Sequence, residues 1–365
     1  MRAGARLTVG WAHMRRQLQH YHTPVMRDIC LDHLHVKPGG VYVDCTMGGG
    51  GHSQEILRRG GRVIAIDQDA EAIAHTSASP GCAPFIQSGH MEIFHTNFSQ
   101  IQSVIESSRM LSESASAATA TSTSASSSHP SSHRAVDGVL MDLGVSSHQI
   151  DTATRGFAFG SQGPLDMRMS PAPAPTVTDP QAQAQGEGSG PIFTNAAGAS
   201  VSDNASIHKV LTAAHIVNTW SVGDIADVLY EFGDETNSRA IAKQIVLSRP
   251  LLHTKHLEAA ISSVTPWKRR SASLARCFQA LRIVLNDEMT VLEEALAAMH
   301  GCIRPGGRLV VLSYHSLEDR RVKLLMRNRA NWDSLFKKGT SPSDEEVRGN
   351  SRARSAKLRV ATRRG

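Results

Sequence analysis

A glycine cluster set between two short apolar runs constrains this chain more than any other feature. Val41-Tyr42-Val43 leads into Asp44-Cys-Thr-Met-Gly48-Gly-Gly50-Gly51-His52-Ser53, and Arg62-Val-Ile-Ala-Ile66 follows, ending at Asp67. Apolar runs of this length, closed by polar residues, suit parallel strands buried on both faces. Glycines at the turn from the first strand into a helix at Ser53–Arg59 let the backbone approach a ligand, and the helix start offers free N–H groups. Asp67 ends the next strand, from which a carboxylate can accept both hydroxyls of a ribose. Loop and acid together select a nucleoside-containing cofactor, NAD or S-adenosylmethionine. The D-x-x-x-G-x-G spacing of Asp44, Gly48 and Gly50 tilts the choice to S-adenosylmethionine. A carboxylate there suits the methionine ammonium or an ordered water, whereas a dinucleotide brings a pyrophosphate. A tight turn capped by Asp44 is the plainer reading, and the second acid weighs against it.

Further strands are expected at Met91–His95, at Val136–Met141 ending in Asp142, and at Arg308–Leu312 ending in Ser313-Tyr314-His315. A helix over Ala280–His300 carries Leu281, Leu285, Leu292, Leu296 and Met299 at helical spacing. Strands alternating with helices mean a doubly wound α/β domain. Asp142 then sits at the carboxyl edge of the sheet, where such folds bind ligands. Between Asp151 and Ser271 the chain shows helical segments (Ile216–Phe232, Ser238–Leu247, Thr254–Val264) and no convincing strand. An all-helical insert over 151–270 therefore interrupts a Rossmann-like domain at 21–150 and 271–365. From Ser112 to Ser128 every residue except Glu113 is Ser, Ala or Thr, and Pro171–Ser206 is rich in Pro, Ala, Gln, Gly and Ser. Such composition cannot bury enough apolar surface to offset its ordering entropy, so disordered loops are expected at 107–133 and 170–206.

No run of about 18 apolar residues is present, which excludes a helical membrane span. Five cysteines, an odd number without a CxxC spacing, argue against a disulfide framework or a zinc cluster and for a reducing compartment. No metal site is expected. The excess of 39 Lys+Arg over 33 Asp+Glu is compatible with a nucleic-acid partner. The placement of the charges says more. Arg2, Arg6, Arg15, Arg16 and Arg27 precede the first acid, Asp28, as in an organellar transit peptide over 1–20, or else a frayed basic tail. From Arg348 onward basic residues occur without any acid. Arg352, Arg354 and Lys357 could there neutralise RNA phosphates, or the stretch could be a solvated tail.

One long set of strings then resembles a known family. Val136 through Asp151, Arg155-Gly-Phe157 and Gly163-Pro-Leu-Asp-Met-Arg-Met169 are similar to the MraW (RsmH) family. The likeness continues in His22-Thr-Pro-Val25, the glycine loop through Ser53 and Ala65-Ile-Asp67-Gln-Asp69. It extends through Phe278–Ile283, Asn286-Asp-Glu288, Pro305–Leu309, Ser313–Arg320 and Arg352–Arg359. The strings occur in order over nearly the whole chain from His22 to Arg359, outside the two low-complexity stretches. One departure is Ser351 after Asn350, where the family has proline.

The resemblance implies a class I S-adenosylmethionine-dependent methyltransferase acting on N4 of a cytosine in small-subunit ribosomal RNA, free or in an assembling subunit. It implies cofactor contacts from Gly50, Gly51, His52, Asp67, Phe98, Asp142 and Gln149; the residues themselves point independently to the loop, Asp67 and Asp142. With the arginine-bearing start it also implies an organellar enzyme, mitochondrial in first place, plastid or cytoplasmic otherwise. An exocyclic amine needs a partner that accepts its hydrogens. No D/N/S-P-P-Y/F loop is present to do this, so Asp142 is the first candidate and His315 a weaker one. A stacking platform for an extruded base could come from Phe157, Phe159 or Trp220, although core packing accounts for each equally. Two other readings stay open: a methyltransferase for DNA or a small molecule, and a catalytically silent RNA-binding assembly factor.

Overall fold

Side-chain alternation along four short strands explains how the sheet is covered. In the computed structural model, which describes residues 24–112, 134–170 and 211–365, β1 (Val41–Asp44) pairs in parallel with β2 (Arg62–Asp67) and with β4 (Val136–Asp142). Strand β3 (Met91–His95) extends the sheet beyond β2, and β5 (Ile303–Ser313) extends it beyond β4, both in parallel. Val41, Val43, Ile64, Ile66, Val139 and Met141 point to one face and share a core with helices Ile101–Ser107 and Glu288–Cys302. Tyr42, Val63, Ala65 and Leu140 point to the other, against helices Arg27–Leu34 and Gly51–Arg58. The period of two thus leaves every central residue buried. The chain winds outward from β1 to β3, then returns to lay β4 on the other side of β1. The winding reverses there, and Asp44, Asp67 and Asp142 close β1, β2 and β4 at its carboxyl edge. This is the Rossmann-like architecture.

The stretch after Arg348 is not a tail. Lys357–Arg363 forms β7, antiparallel between β5 and β6 (Trp332–Ser334), completing a seven-stranded sheet ordered β3-β2-β1-β4-β5-β7-β6. Leu358 and Val360 enter one core and Ala361 the other. Buried Arg359 donates to Asp319 at 2.6 and 3.0 Å, and Lys357 Nζ donates to the same carboxylate at 3.1 Å.

Residues Gln149–Glu288 form a second compact unit, and the remainder of the chain forms the first. Helices Ala213–Thr219, Val222–Glu231, Ser238–Leu247, Thr254–Ser263 and Arg270–Leu285 enclose a core that includes Ile216, Leu229, Ile241, Ile261 and Leu281. Two expected helices are each broken. Ile216–Phe232 divides at Trp220-Ser221, where the Ser221 hydroxyl accepts the Asp224 N–H and starts a new helix. Ala280–His300 divides at Asn286-Asp287, where Asp287 takes a left-handed φ of 49°. The Asn286 side chain donates to the carbonyls of Met167 and Arg282 and accepts the Met169 N–H, all within the second unit. Helix Arg270–Leu285 packs into the helical core, so the unit runs from 149 to 288, not from 151 to 270. The arginine-bearing start before residue 24, and 113–133 and 171–210, which hold the low-complexity stretches, lie outside the described residues.

Candidate active site

The loop after β1 is held open by left-handed glycines. Gly48 and Gly50 have φ of 50° and 78°, and a Cβ on Gly50 would lie 2.8 Å from Thr76 Cγ2 and 3.1 Å from Cys82 Sγ. A side chain there would be both strained and crowded. The Thr76 hydroxyl donates to the Gly48 carbonyl at 2.8 Å, and the Met47 N–H donates to Ile66 of β2 at 3.1 Å. The Gly48 N–H donates to Asp67 Oδ2 at 2.7 Å and the Asp69 N–H to Asp67 Oδ1 at 2.8 Å. Asp67 therefore fixes the loop while remaining half-exposed, and each oxygen keeps a second acceptor lone pair. Burial raises its carboxyl pKa to about 6, against the pull of the Asp69 and Gly48 N–H groups.

Asp44 lies beneath the loop. Its carboxylate is fully buried, accepting the Ser53 hydroxyl at 2.7 Å and the Thr46 N–H at 3.2 Å. Burial pushes its pKa up, with His52 and Ser53 opposing. It braces the glycine loop from beneath. The side chain turns into the helix start because β1 is covered on both faces.

Asp142 faces the same edge and is partly exposed. Its N–H donates to the Thr46 hydroxyl at 2.7 Å, tying β4 to the loop of β1. Its Oδ1 accepts the Tyr314 hydroxyl at 2.7 Å, and Oδ2 lies 3.5 Å from His52 Nε2. His52 is buried, and among the described residues neither ring nitrogen has a hydrogen-bond partner. Burial, and then the Asp142 charge, push the Tyr314 phenol well above its usual pKa of 10. Sequence reasoning passed over Tyr314 in favour of its neighbours. Its signal was position: it follows β5, the strand beside β4.

Ser313 donates to the Lys357 carbonyl at 3.3 Å, while His315 Nε2 lies 3.1 Å from Glu318 Oε1. Glu318 Oε2 accepts the Tyr314 N–H at 2.7 Å, so Glu318 and His315 build the start of helix Ser316–Met326. It is the tyrosine between Ser313 and His315 that reaches Asp142. Gly51 and His52 open helix Gly51–Arg58. Phe98 begins a short 3₁₀ turn after β3 and packs against the sheet core. Gln149 is buried in the short helix Ser147–Asp151, at the first position of the second unit. Arg352 and Arg354 lie on the turn Ser351–Ser355, where Asn350 Oδ1 accepts the Arg352 N–H at 3.1 Å; Arg354 is exposed. Lys357 is committed to Asp319. Trp220 is buried, and Phe157 and Phe159 pack on the helical core, Phe159 edge-on to Phe278 at 5.7 Å, so core packing accounts for all three.

A profile of the MraW methylase family matches residues 19–187 and 205–364. The chain is 36% identical to a ribosomal RNA small subunit methyltransferase H of Carboxydothermus hydrogenoformans, over 93% of this chain and 97% of that protein. It is 36% identical to the protein of the same name from a Cyanothece species, covering 94% of each. The counterpart in Crocosphaera subtropica is 35% identical, over 94% of this chain and 90% of that one.

Proposed function

The chain belongs to the MraW methylase family, and from this premise we propose that it methylates N4 of a cytosine in small-subunit ribosomal RNA, with S-adenosylmethionine as donor. The observation that carries the reading is the union, at one sheet edge, of a glycine loop with the carboxylates of Asp67 and Asp142. The residues fit the donor. Gly48 and Gly50 both take left-handed φ and Gly50 has no room for a side chain, Asp67 keeps spare acceptor capacity, and the ring nitrogens of buried His52 make no hydrogen bond among the described residues. Gly48, Gly50 and Asp67 would hold the nucleoside, with Asp44 bracing the loop.

S-adenosylmethionine supplies an electrophilic methyl group on a sulfonium. The chain must present the nucleophile. The lone pair of N4 is conjugated with the cytosine ring, so a group that accepts the amine hydrogens localises it on nitrogen and aligns it. Asp142 is our candidate for that group. Tyr314 engages Oδ1 as a neutral donor, which leaves Oδ2, beside His52, as the acceptor for the amine.

The test uses radiolabelled donor with small ribosomal subunits stripped of the mark and, in parallel, DNA. Label recovered in N4-methylcytidine of the RNA is expected. Label in DNA alone, or donor binding with no transfer to either, would overturn the proposal.

We also propose a mitochondrial location, supported by the acid-free run holding Arg2, Arg6, Arg15, Arg16 and Arg27. A fusion of residues 1–27 to a fluorescent reporter should collect in mitochondria. Diffuse cytosolic signal would reject it.

A further inference from the structure

Trp267, in the helical unit, is 79% exposed, the largest exposure among the described large hydrophobic residues. Leaving an indole in water forfeits the burial free energy of the largest apolar side chain. This indole is nonetheless held firmly. Pro266 fixes the backbone before it, and the Arg269 N–H donates to the Pro266 carbonyl at 2.9 Å to close the turn Trp267–Arg269. The Arg270 guanidinium donates to the Ser262 carbonyl at 3.2 Å and lies 5.2 Å from the indole ring centre. One part of the ring is thereby backed by an anchored cation while most of it stays open.

The chain on either side of it carries one sign of charge. No acid occurs between Glu258 and Asp287, and Lys268 and Arg269 are exposed with no ion-pair partner among the described residues. Tyr230, the other strongly exposed aromatic of the unit, sits differently, next to Glu231 on a helix that also carries Asp224 and Asp227. An open aromatic backed by one cation and followed by two exposed ones fits a single-stranded polynucleotide, because any base can stack on the ring while its phosphates meet the cations.

We propose that Trp267, with Lys268, Arg269 and Arg270, is a docking surface for single-stranded RNA. It grips the substrate through base stacking and phosphate contacts and makes no base-edge readout. The inference rests on the RNA-methylating function above. It names a contact on the substrate that is separate from the cofactor residues. Stacking of this kind changes affinity by about tenfold per base, and each lost phosphate contact lowers the salt slope for single strands by about 0.7.

The test measures binding of the full chain to a fluorescently labelled short oligocytidylate and to a duplex of matched length, across salt. Trp267→Ala should weaken the single-strand complex about tenfold and the duplex less, while Trp267→Phe stays within about threefold of the parent. Lys268→Gln with Arg269→Gln should lower the salt slope by about 1.4. The S-adenosylmethionine dissociation constant should be unchanged in all three variants, and unchanged helical circular dichroism and protease resistance of 211–288 show that the helical unit is folded. A Trp267→Ala chain that binds oligocytidylate as tightly as the parent would overturn the proposal and leave the surface to a protein partner. A parent chain that binds the donor but neither RNA would instead sink the underlying reading as well.

Discussion

A phenol that stays protonated through the physiological range is a dependable donor, and Tyr314 is such a group. Its hydrogen bond to Asp142 Oδ1 is short, part-buried and aimed at the carboxylate best placed to meet an amine. Tyr314→Phe should lower the single-turnover rate of methyl transfer at saturating donor and RNA by about 10- to 100-fold, the scale of a hydrogen bond to a charged group. The donor dissociation constant should move by less than about threefold, because the loss falls on the orientation of Asp142 and leaves Asp67 untouched. An unchanged rate would remove Tyr314 from the positioning of Asp142. Asp67 sets a pH limit of its own. Burial pushes its carboxyl pKa up to about 6; above that value an ionised Asp67 would accept the ribose hydroxyls in the proposed site, and below it a proton would occupy one acceptor. Donor affinity should therefore fall about tenfold per pH unit below 6 and stay flat above it. In Asp67→Asn the affinity should be low and nearly independent of pH, which calorimetry across pH 5–8 would reveal.

At the scale of elements, β7, next to the edge strand β6, ties the sheet to helix Ser316–Met326 through one carboxylate with two cations. Burial raises the pKa of Asp319, but hydrogen bonds from Arg359 and Lys357 prevail and hold it below the ordinary range. A depressed carboxyl stabilises the fold above its unfolded pKa, and that stabilisation is lost as the pH falls through the lower, folded value. Asp319→Ala leaves Arg359 buried without a counter-charge and should cost about 3 kcal/mol in denaturant unfolding at neutral pH. At a pH acidic enough to protonate Asp319 in the folded protein, the gap between variant and parent should narrow. Strand β7 also shows what the sequence concealed. Lys357-Leu-Arg-Val-Ala-Thr-Arg363 alternates as a strand should, yet its basic residues look like a solvated end unless Asp319, distant in the sequence, is known to meet them. The central strands were legible because each is buried on both faces and needs no partner to be recognised. Asp67 and Asp142 were legible for a related reason: a strand end in such a sheet can be found from the strand. The role of Asp44 was hidden because its spacing says nothing of which way a carboxylate turns. The breaks at Ser221 and Asp287 were hidden because a cap and a left-handed residue interrupt apolar spacing without disturbing it.

At the scale of the whole molecule, the helical unit is one unbroken stretch of chain, whereas the sheet unit is drawn from both sides of it. The two units have separate cores, so each can respond separately to substitution: changes at Leu229 or Ile241 fall on one core, those at Val139 or Val311 on the other. This discontinuity sets an order of events during synthesis. When the ribosome has made residues up to Glu288, everything the helical unit needs has been translated, but β4 still lacks β5 beside it, and Val139, Leu140 and Met141 wait without their neighbours. Domains fold as units once their residues emerge. A nascent chain arrested after Glu288, with enough linker to clear the exit tunnel, should thus protect 211–288 from protease while 24–148 is cut. The half made first is the last to close, and for that interval it is the part of the newborn protein most in need of a chaperone.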